Sequence, residues 1–181
     1  MSEAAAQREN PMRKIRIGKV TVNIGVGESG EQLEKAKKVL QQVTGQAPSS
    51  RKAKRTVKDF GIRKGEPIGC VVTLRGEKAV GFLRTSLVAV NNRLNESSFD
   101  EYGNFAFGIK EHIEIPKTRY FPELGIFGMD VTVTLERPGY RIKRRSYHRS
   151  RVGTSHLIDK SEAIEFAKQN FNLEIIGEET E

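Results

Sequence analysis

From Lys19 the chain alternates: Val20, Val22 and Ile24 share one parity, and Lys19, Thr21 and Asn23 share the other. A period of two means a strand with one apolar and one wet face, which leaves Thr21 and Asn23 on the open side. Ile15 and Ile17 fall in the opposite phase, so a bulge or kink at Gly18 is needed to join the two halves. Alternation returns in Cys70, Val72 and Leu74, with Val71, Thr73 and Arg75 facing outward, and again in Met129, Val131, Val133 and Leu135. Phe105, Phe107 and Ile109, then Ile113 and Ile115, also share a parity and predict a strand or a pair of strands ending at Pro116.

Between these strands the period changes to that of a helix. Leu33, Ala36, Leu40 and Val43 predict a first helix, N-capped by Ser29 with Gln32 completing a capping box, and closed by Gly45. Its acids, Glu31 and Glu34, come early and Lys37 and Lys38 late, as a helix dipole prefers. A second helix is predicted over 78–92 with Val80, Leu83, Leu87 and Val90 or Leu94 buried, and a third from Lys160, capped by Asp159 with Glu162. Strands with one wet face belong to antiparallel sheets, whereas a doubly wound parallel sheet shows continuous apolar runs. The expectation is an α+β fold: a mostly antiparallel sheet with helices packed on one face and an open binding face. Residues 1–10 lack periodicity and predict a flexible tail, and 11–181 a single domain.

Charge sharpens the function of the open face. Lys and Arg number 31 against 23 Asp and Glu, a net charge of +8, which directs attention to phosphate-rich partners. The excess is concentrated in two places. A loop over 51–66 carries Arg51, Lys52, Lys54, Arg55, Lys58, Arg63 and Lys64, with Phe60 among them; an insert over 137–151, RPGYRIKRRSYHRSR, has no acid. The insert offers Arg141, Lys143, Arg144, Arg145, Arg149 and Arg151, with Tyr140 and Tyr147 interleaved. Arginine pairs with phosphate and stacks on bases, aromatic rings stack on unpaired bases, and Asn or Thr reads base edges and the ribose hydroxyl. A charged loop can also be merely solvated, but here it adjoins open strand faces bearing Asn23, Thr73 and Arg75. Without a basic recognition helix or a zinc module, RNA fits better than DNA.

Other chemistries find little footing. Gly25-x-Gly27-x-x-Gly30 has the spacing of a dinucleotide fingerprint, but GQAPSSRK stands where the ribose-binding acid belongs, so a tight turn needing positive φ is the simpler reading. His112, His148, His156 and Cys70 have no metal-ligand spacing, Cys70 has the inward parity of a core residue, and Asp100 and Glu101 adjoin in a loop. No cofactor, metal or catalytic pair is expected. One cysteine suits a reducing compartment, and MSEAAAQREN has neither the apolar core of a signal peptide nor the character of a transit peptide; a cytoplasmic protein without a membrane partner is expected. Two rival readings are an enzyme using the Gly25 to Gly30 turn for a nucleotide and a basic adaptor for acidic proteins or membranes.

Four stretches, TVNIGVGE (21–28), TGQAPSSRKAKRTVKDFGIRKGEPIGCVVTLRG (44–76), FDEYGNFAFGIKEHIEIP (99–116) and GIFGMDVTVTLERPG (125–139), resemble the large-subunit ribosomal protein five family, the universal binder of 5S ribosomal RNA. The similarity spans nearly the whole chain from Asn10, in order. The insert at 137–151 and the closing helix resemble the archaeal and eukaryotic branch. The resemblance implies a protein that grips 5S RNA at the central protuberance through its sheet and that works beside large-subunit RNA. Matched motif by motif, Asn23, Gln46 and Thr73 occupy the family's RNA-contacting positions, with Thr21, Arg51, Lys52, Lys54, Arg55 and Arg75 around them. The loop TVKDFGIRKGE, with Thr56, Val57, Lys58, Phe60, Arg63 and Lys64, matches the one that reaches the peptidyl-site tRNA. The family also touches neighbouring ribosomal proteins, among them one in the small-subunit head. Val71 departs from the bacterial pattern, where a lysine stands.

Overall fold

The computed structural model describes residues 10–116 and 118–177, so of the expected tail only Asn10 falls within it. In chain order the elements are β1 (Arg16–Gly25), α1 (Glu31–Thr44), β2 (Ser49–Lys52), β3 (Pro67–Leu74), α2 (Glu77–Ala89), β4 (Arg93–Asn95), β5 (Phe105–Ile109), β6 (Met129–Glu136), α3 (Lys160–Phe171) and β7 (Glu174–Ile176). Five strands form one antiparallel sheet in the order β2-β3-β1-β6-β5. β4 and β7 pair in parallel as a separate ribbon.

Register follows the apolar parity. Val20 lies opposite Leu74 and Val133, Val22 opposite Val72 and Val131, and Phe105 and Phe107 opposite Val133 and Val131. These side chains, with Ile24, Cys70 and Leu135, form the floor of one core. Leu33, Ala36 and Leu40 of α1, Ala79, Leu83 and Leu87 of α2, and Ala163 and Ala167 of α3 join it. Each Val, Leu or Ile buried there contributes roughly 1.5–3 kcal/mol. A one-residue slip would turn every one of them to water, which is why the register is fixed. The α+β class and the helix-covered, one-sided sheet are as the pattern predicted.

The phase change within β1 is a bulge at Gly18, where the β1–β6 register shifts between Ile17 and Lys19. A Cβ on Gly18 would sit 2.4 Å from Cδ of Glu136. That carboxylate is buried and accepts two hydrogen bonds from the Arg144 guanidinium, at 2.6 and 2.9 Å. Bulge, buried acid and basic segment therefore form one device.

Several local expectations give way to tertiary contacts. Ser29 does not cap α1: its hydroxyl donates to Oε1 of Glu66 at 2.6 Å, and Gly30, at φ 103°, takes the N-cap position. Gly45 closes the helix in the left-handed region as expected, but the lysines pair with acids along it, Lys35 with Glu31 and Lys37 with Glu34, and none lies in the last turn. In α2 the buried row is Ala79, Phe82, Leu83, Ser86 and Leu87; Val80 is half-buried, and the helix ends before Asn91 and Asn92, both left-handed. Leu94 is buried from β4 instead. The described residues 110–116 form no second strand after β5. His112 is buried, its N–H donates to the Phe127 carbonyl at 3.0 Å, and its Nδ1 accepts the Phe127 N–H at 3.3 Å, so residues His112–Glu114 wind into a single 3-10 turn. α3 starts as predicted, with Asp159 and Glu162 forming the capping box.

Gly18→Ala should destabilise the protein by about 1–3 kcal/mol, because the added methyl collides with a carboxylate that Arg144 holds in place. Urea denaturation of the two proteins checks this. Unchanged stability would mean that Glu136 moves aside freely.

Candidate nucleic-acid interface

The outer face of the sheet is paved with small and polar side chains in register. One row runs Ser49, Val71, Asn23, Asp130, Gly108; the next runs Thr73, Thr21, Thr132, Ala106. Thr21 and Thr73 are direct cross-strand partners, and Asn23 lies opposite Val71 on one side and Asp130 on the other. Directly opposite Cβ atoms are about 5 Å apart, so neighbouring side chains can address a single nucleotide. Val71, only 7 % exposed, offers this face an apolar contact where a lysine would have offered a charge. Asp130 and Thr132 are the residues missed in the sequence, although the parity of β6 turns them outward just as that of β1 turns Asn23.

The remaining polar candidates lie off one end of the sheet. β2 begins opposite Val71 and runs antiparallel to β3, so the turn holding Gln46 is at the Thr73 end, where Arg75 also follows β3. Gln46 and Arg75 are exposed.

The basic segment 51–66 is only partly a loop. Arg51 and Lys52 belong to edge strand β2, and the rest continues as a hairpin-like lobe. Ala53 donates to the Glu66 carbonyl at 2.8 Å, and Gly65 donates back to that of Ala53 at 2.9 Å. Val57 and Ile62 exchange backbone bonds of 2.9 and 3.1 Å, and the Lys64 N–H donates to Oγ1 of Thr56 at 3.0 Å. Glu66 locks the base, accepting from the Ser29 hydroxyl and, at 3.0 Å, from the Arg63 N–H. These two hydrogen bonds hold its carboxyl below the usual range. Lys54, Arg55, Lys58, Arg63 and Lys64 are exposed, and Phe60, near the tip, is 77 % exposed. The lobe leaves the end of the sheet opposite Gln46 and Arg75, beside the Gly25 to Gly30 turn.

The insert 137–151 divides by burial. Arg137, 5 % exposed, is a structural residue: it donates to the carbonyls of Arg13 and Leu157 at 3.1 and 2.9 Å and to Glu162 at 2.7 Å. Tyr140, expected to interleave with the charges for stacking, is buried; its hydroxyl donates to the His156 carbonyl at 3.0 Å and accepts from the Ile158 N–H at 3.1 Å. Burial pushes that phenol up. Arg144 is held by Glu136, Arg145 donates to the His148 carbonyl at 2.8 Å, and Lys143 sits 4.7 Å from the Tyr140 ring centroid. Arg141, Arg149, Arg151 and the 77 % exposed Tyr147 remain turned to solvent. The insert departs from the end of β6 that pairs with Arg16, so it does not meet the lobe of residues 53–66.

The alternative chemistries meet physical obstacles. In the glycine turn the N–H groups of Val26 and Gly27 both donate to the Ile68 carbonyl, at 3.0 and 2.9 Å, and are not directed at a phosphate. Gly27 and Gly30 have the positive φ expected there. Burial raises the Cys70 thiol and lowers the His112 imidazole, disfavouring the charged form of each. Among the described residues no His, Cys, Asp and Glu cluster suits a metal, and no helix is long and apolar enough to cross a membrane.

Two substitutions separate scaffold from surface. Tyr140→Phe should cost about 1–3 kcal/mol by stranding the buried Ile158 N–H, while RNA affinity stays unchanged, as calorimetry and a binding titration would report. For Glu66 the folded pKa is depressed below the ordinary 4.5, so its contribution is present above that value and fades as pH falls through the folded one. The difference in thermal midpoint between wild type and Glu66→Gln should therefore be present at neutral pH and vanish in acid. A gap that persists or grows in acid would contradict this assignment.

Comparison with known families agrees with this geometry. Residues 10–63 match the family described as ribosomal protein L5, and 67–166 match the pattern described for the C-terminus of the same ribosomal family. The chain is 58 % identical to the large ribosomal subunit protein uL5 of Sulfurisphaera tokodaii over 96 % of its own length and 98 % of that protein. It is 53 % identical to the uL5 of Sulfolobus acidocaldarius, covering 97 % and 99 %, and 52 % identical to that of Methanococcoides burtonii, covering 92 % and 98 %. With both parts of the family pattern matched in order and relatives this close along almost its whole length, the chain belongs to the ribosomal protein L5 family.

Proposed function

We propose that this protein anchors 5S ribosomal RNA in the central protuberance of the large subunit, using the outer face of its sheet. As an L5-family member it is a structural constituent of the large ribosomal subunit in the cytoplasmic ribosome, and not an enzyme. The observation that carries the RNA reading is the register itself: Asn23 and Thr73, matched to RNA-contacting positions by motif, share one half-exposed polar face with Thr21, the cross-strand partner of Thr73.

Within this reading residues 11–181 act as one RNA-binding domain. Gln46, Arg51, Lys52, Lys54, Arg55 and Arg75 flank the patch and neutralise phosphate. The lobe with Thr56, Val57, Lys58, Phe60, Arg63 and Lys64 reaches the peptidyl-site tRNA, and its projection beyond the sheet, with an exposed Phe60 near its tip, supports that role. Arg141, Arg149 and Arg151 contact large-subunit RNA, while Lys143, Arg144 and Arg145 shape the insert that presents them. A further surface meets neighbouring ribosomal proteins, including one in the small-subunit head.

Asn23→Ala and Thr73→Ala should each weaken 5S RNA binding about tenfold, as expected for a lost base-edge contact, without lowering the thermal midpoint. The test is a titration with 5S RNA and with an unrelated structured RNA of equal length across a salt series. Equal affinities that decline together with salt would leave only the phosphate contribution and overturn the reading.

A further inference from the structure

We infer that Asp130 reads the Watson–Crick edge of an unpaired guanine in the bound RNA; this rests on the sheet face being the 5S surface. A carboxylate is the least expected group on a polyanion-binding face, because it repels every phosphate near it. It stands in the middle of the patch nonetheless, on β6, directly opposite Asn23 and two strands from Val71. Asp130 is exposed, and none of the ion pairs among the described residues involves it. On its other side the cross-strand partner is Gly108, so no side chain walls it off toward β5. Along β6 the next outward residues are Thr132 and Thr134, which offer hydroxyls and no positive charge.

The chemistry of such a group narrows what it can recognise. An ionised carboxylate only accepts hydrogen bonds, and its two oxygens match two parallel donors. Among the bases guanine presents that pair on one edge, at N1–H and the exocyclic amino group. Cytosine and adenine present one amino group beside an acceptor nitrogen, which a carboxylate repels. Asn23, about 5 Å away across the strands, can serve the guanine carbonyl or the adjoining ribose. On the β5 side of Asp130 the exposed Gly108 and Ala106 leave the sheet low enough to admit a base.

Electrostatics makes the inference decisive to test, because a bystander acid and a reading acid predict opposite signs. Removing a bystander's charge from a basic protein should strengthen binding to every RNA. For Asp130→Asn and Asp130→Ala, both on an exposed side chain, we expect 5S affinity to fall at least about tenfold, as for a lost two-point base contact. Affinity for an unrelated structured RNA of equal length should stay level or rise, and thermal midpoints should not move. Kethoxal, which modifies guanine at N1 and N2, supplies an independent readout. One guanine of 5S RNA should be protected by the wild type and become reactive in complexes with either variant. Variants that bind 5S RNA as well as or better than wild type, or that expose no guanine, overturn the role of Asp130 and leave the 5S reading intact. A wild-type protein that binds both RNAs alike overturns the 5S reading itself, and this inference with it.

Discussion

The position of β1 at the centre of the sheet is the constraint on which the rest depends. It pairs with β3 on one side and β6 on the other, so its side-chain parity sets that of both neighbours. Val20, Val22 and Ile24 are almost wholly buried, and the several kcal/mol at stake in a slip leave one register. Once those three face the helices, Thr21 and Asn23 must face water, and Thr73, Asp130 and Thr132 are brought beside them. The polar patch proposed to face RNA is thus a by-product of core packing, formed without paying to order a loop on binding.

The two cationic segments are arranged around that patch rather than on it. The lobe of residues 53–66 leaves one end of the sheet, and the insert 137–151 leaves the other, each fastened by a carboxylate. Glu66 ties the first to Ser29, and Glu136 ties the second through Arg144. In both cases an acid at the root of a cationic segment, Glu66 at the end of the lobe and Glu136 at the end of β6, fixes geometry at the cost of local positive charge. Long-range attraction to phosphate survives that loss because it depends on the summed field, whereas direction depends on the individual bond.

How far the sequence could be read follows from the range of the interactions involved. Parity is local, so the strands, the Gly18 bulge, the outward Thr21, Asn23 and Thr73, and the Asp159 cap of α3 were legible. What failed were residues whose partners lie far along the chain. Ser29 has good capping chemistry, yet Glu66, 37 positions on, takes its hydroxyl. Tyr140 sits in a run of cations that reads as a nucleic-acid arm, yet its hydroxyl completes the backbone at His156 and Ile158. Arg51 and Lys52 read as loop because four polar residues carry no periodicity, while β3 recruits them as an edge strand. Ile113 and Ile115 kept strand parity with β5, but the pairing of His112 with Phe127 bends the chain between them.

In the proposed role, a polar patch between two cationic ends divides affinity from specificity. Phosphate contacts hold any RNA and weaken steeply with salt, so a sheet face covered with lysine would bind more tightly and discriminate less. Thr, Asn and Asp add little to attraction and much to selection, since an unmatched base leaves a desolvated hydroxyl, amide or carboxylate without a partner. The most demanding of the three is the carboxylate: facing a phosphate or an acceptor edge it opposes binding outright. If RNA docks on this face as proposed, an acid there favours binding only where the RNA presents donors to it, and it restricts the shape and sequence that can dock more sharply than the surrounding cations do.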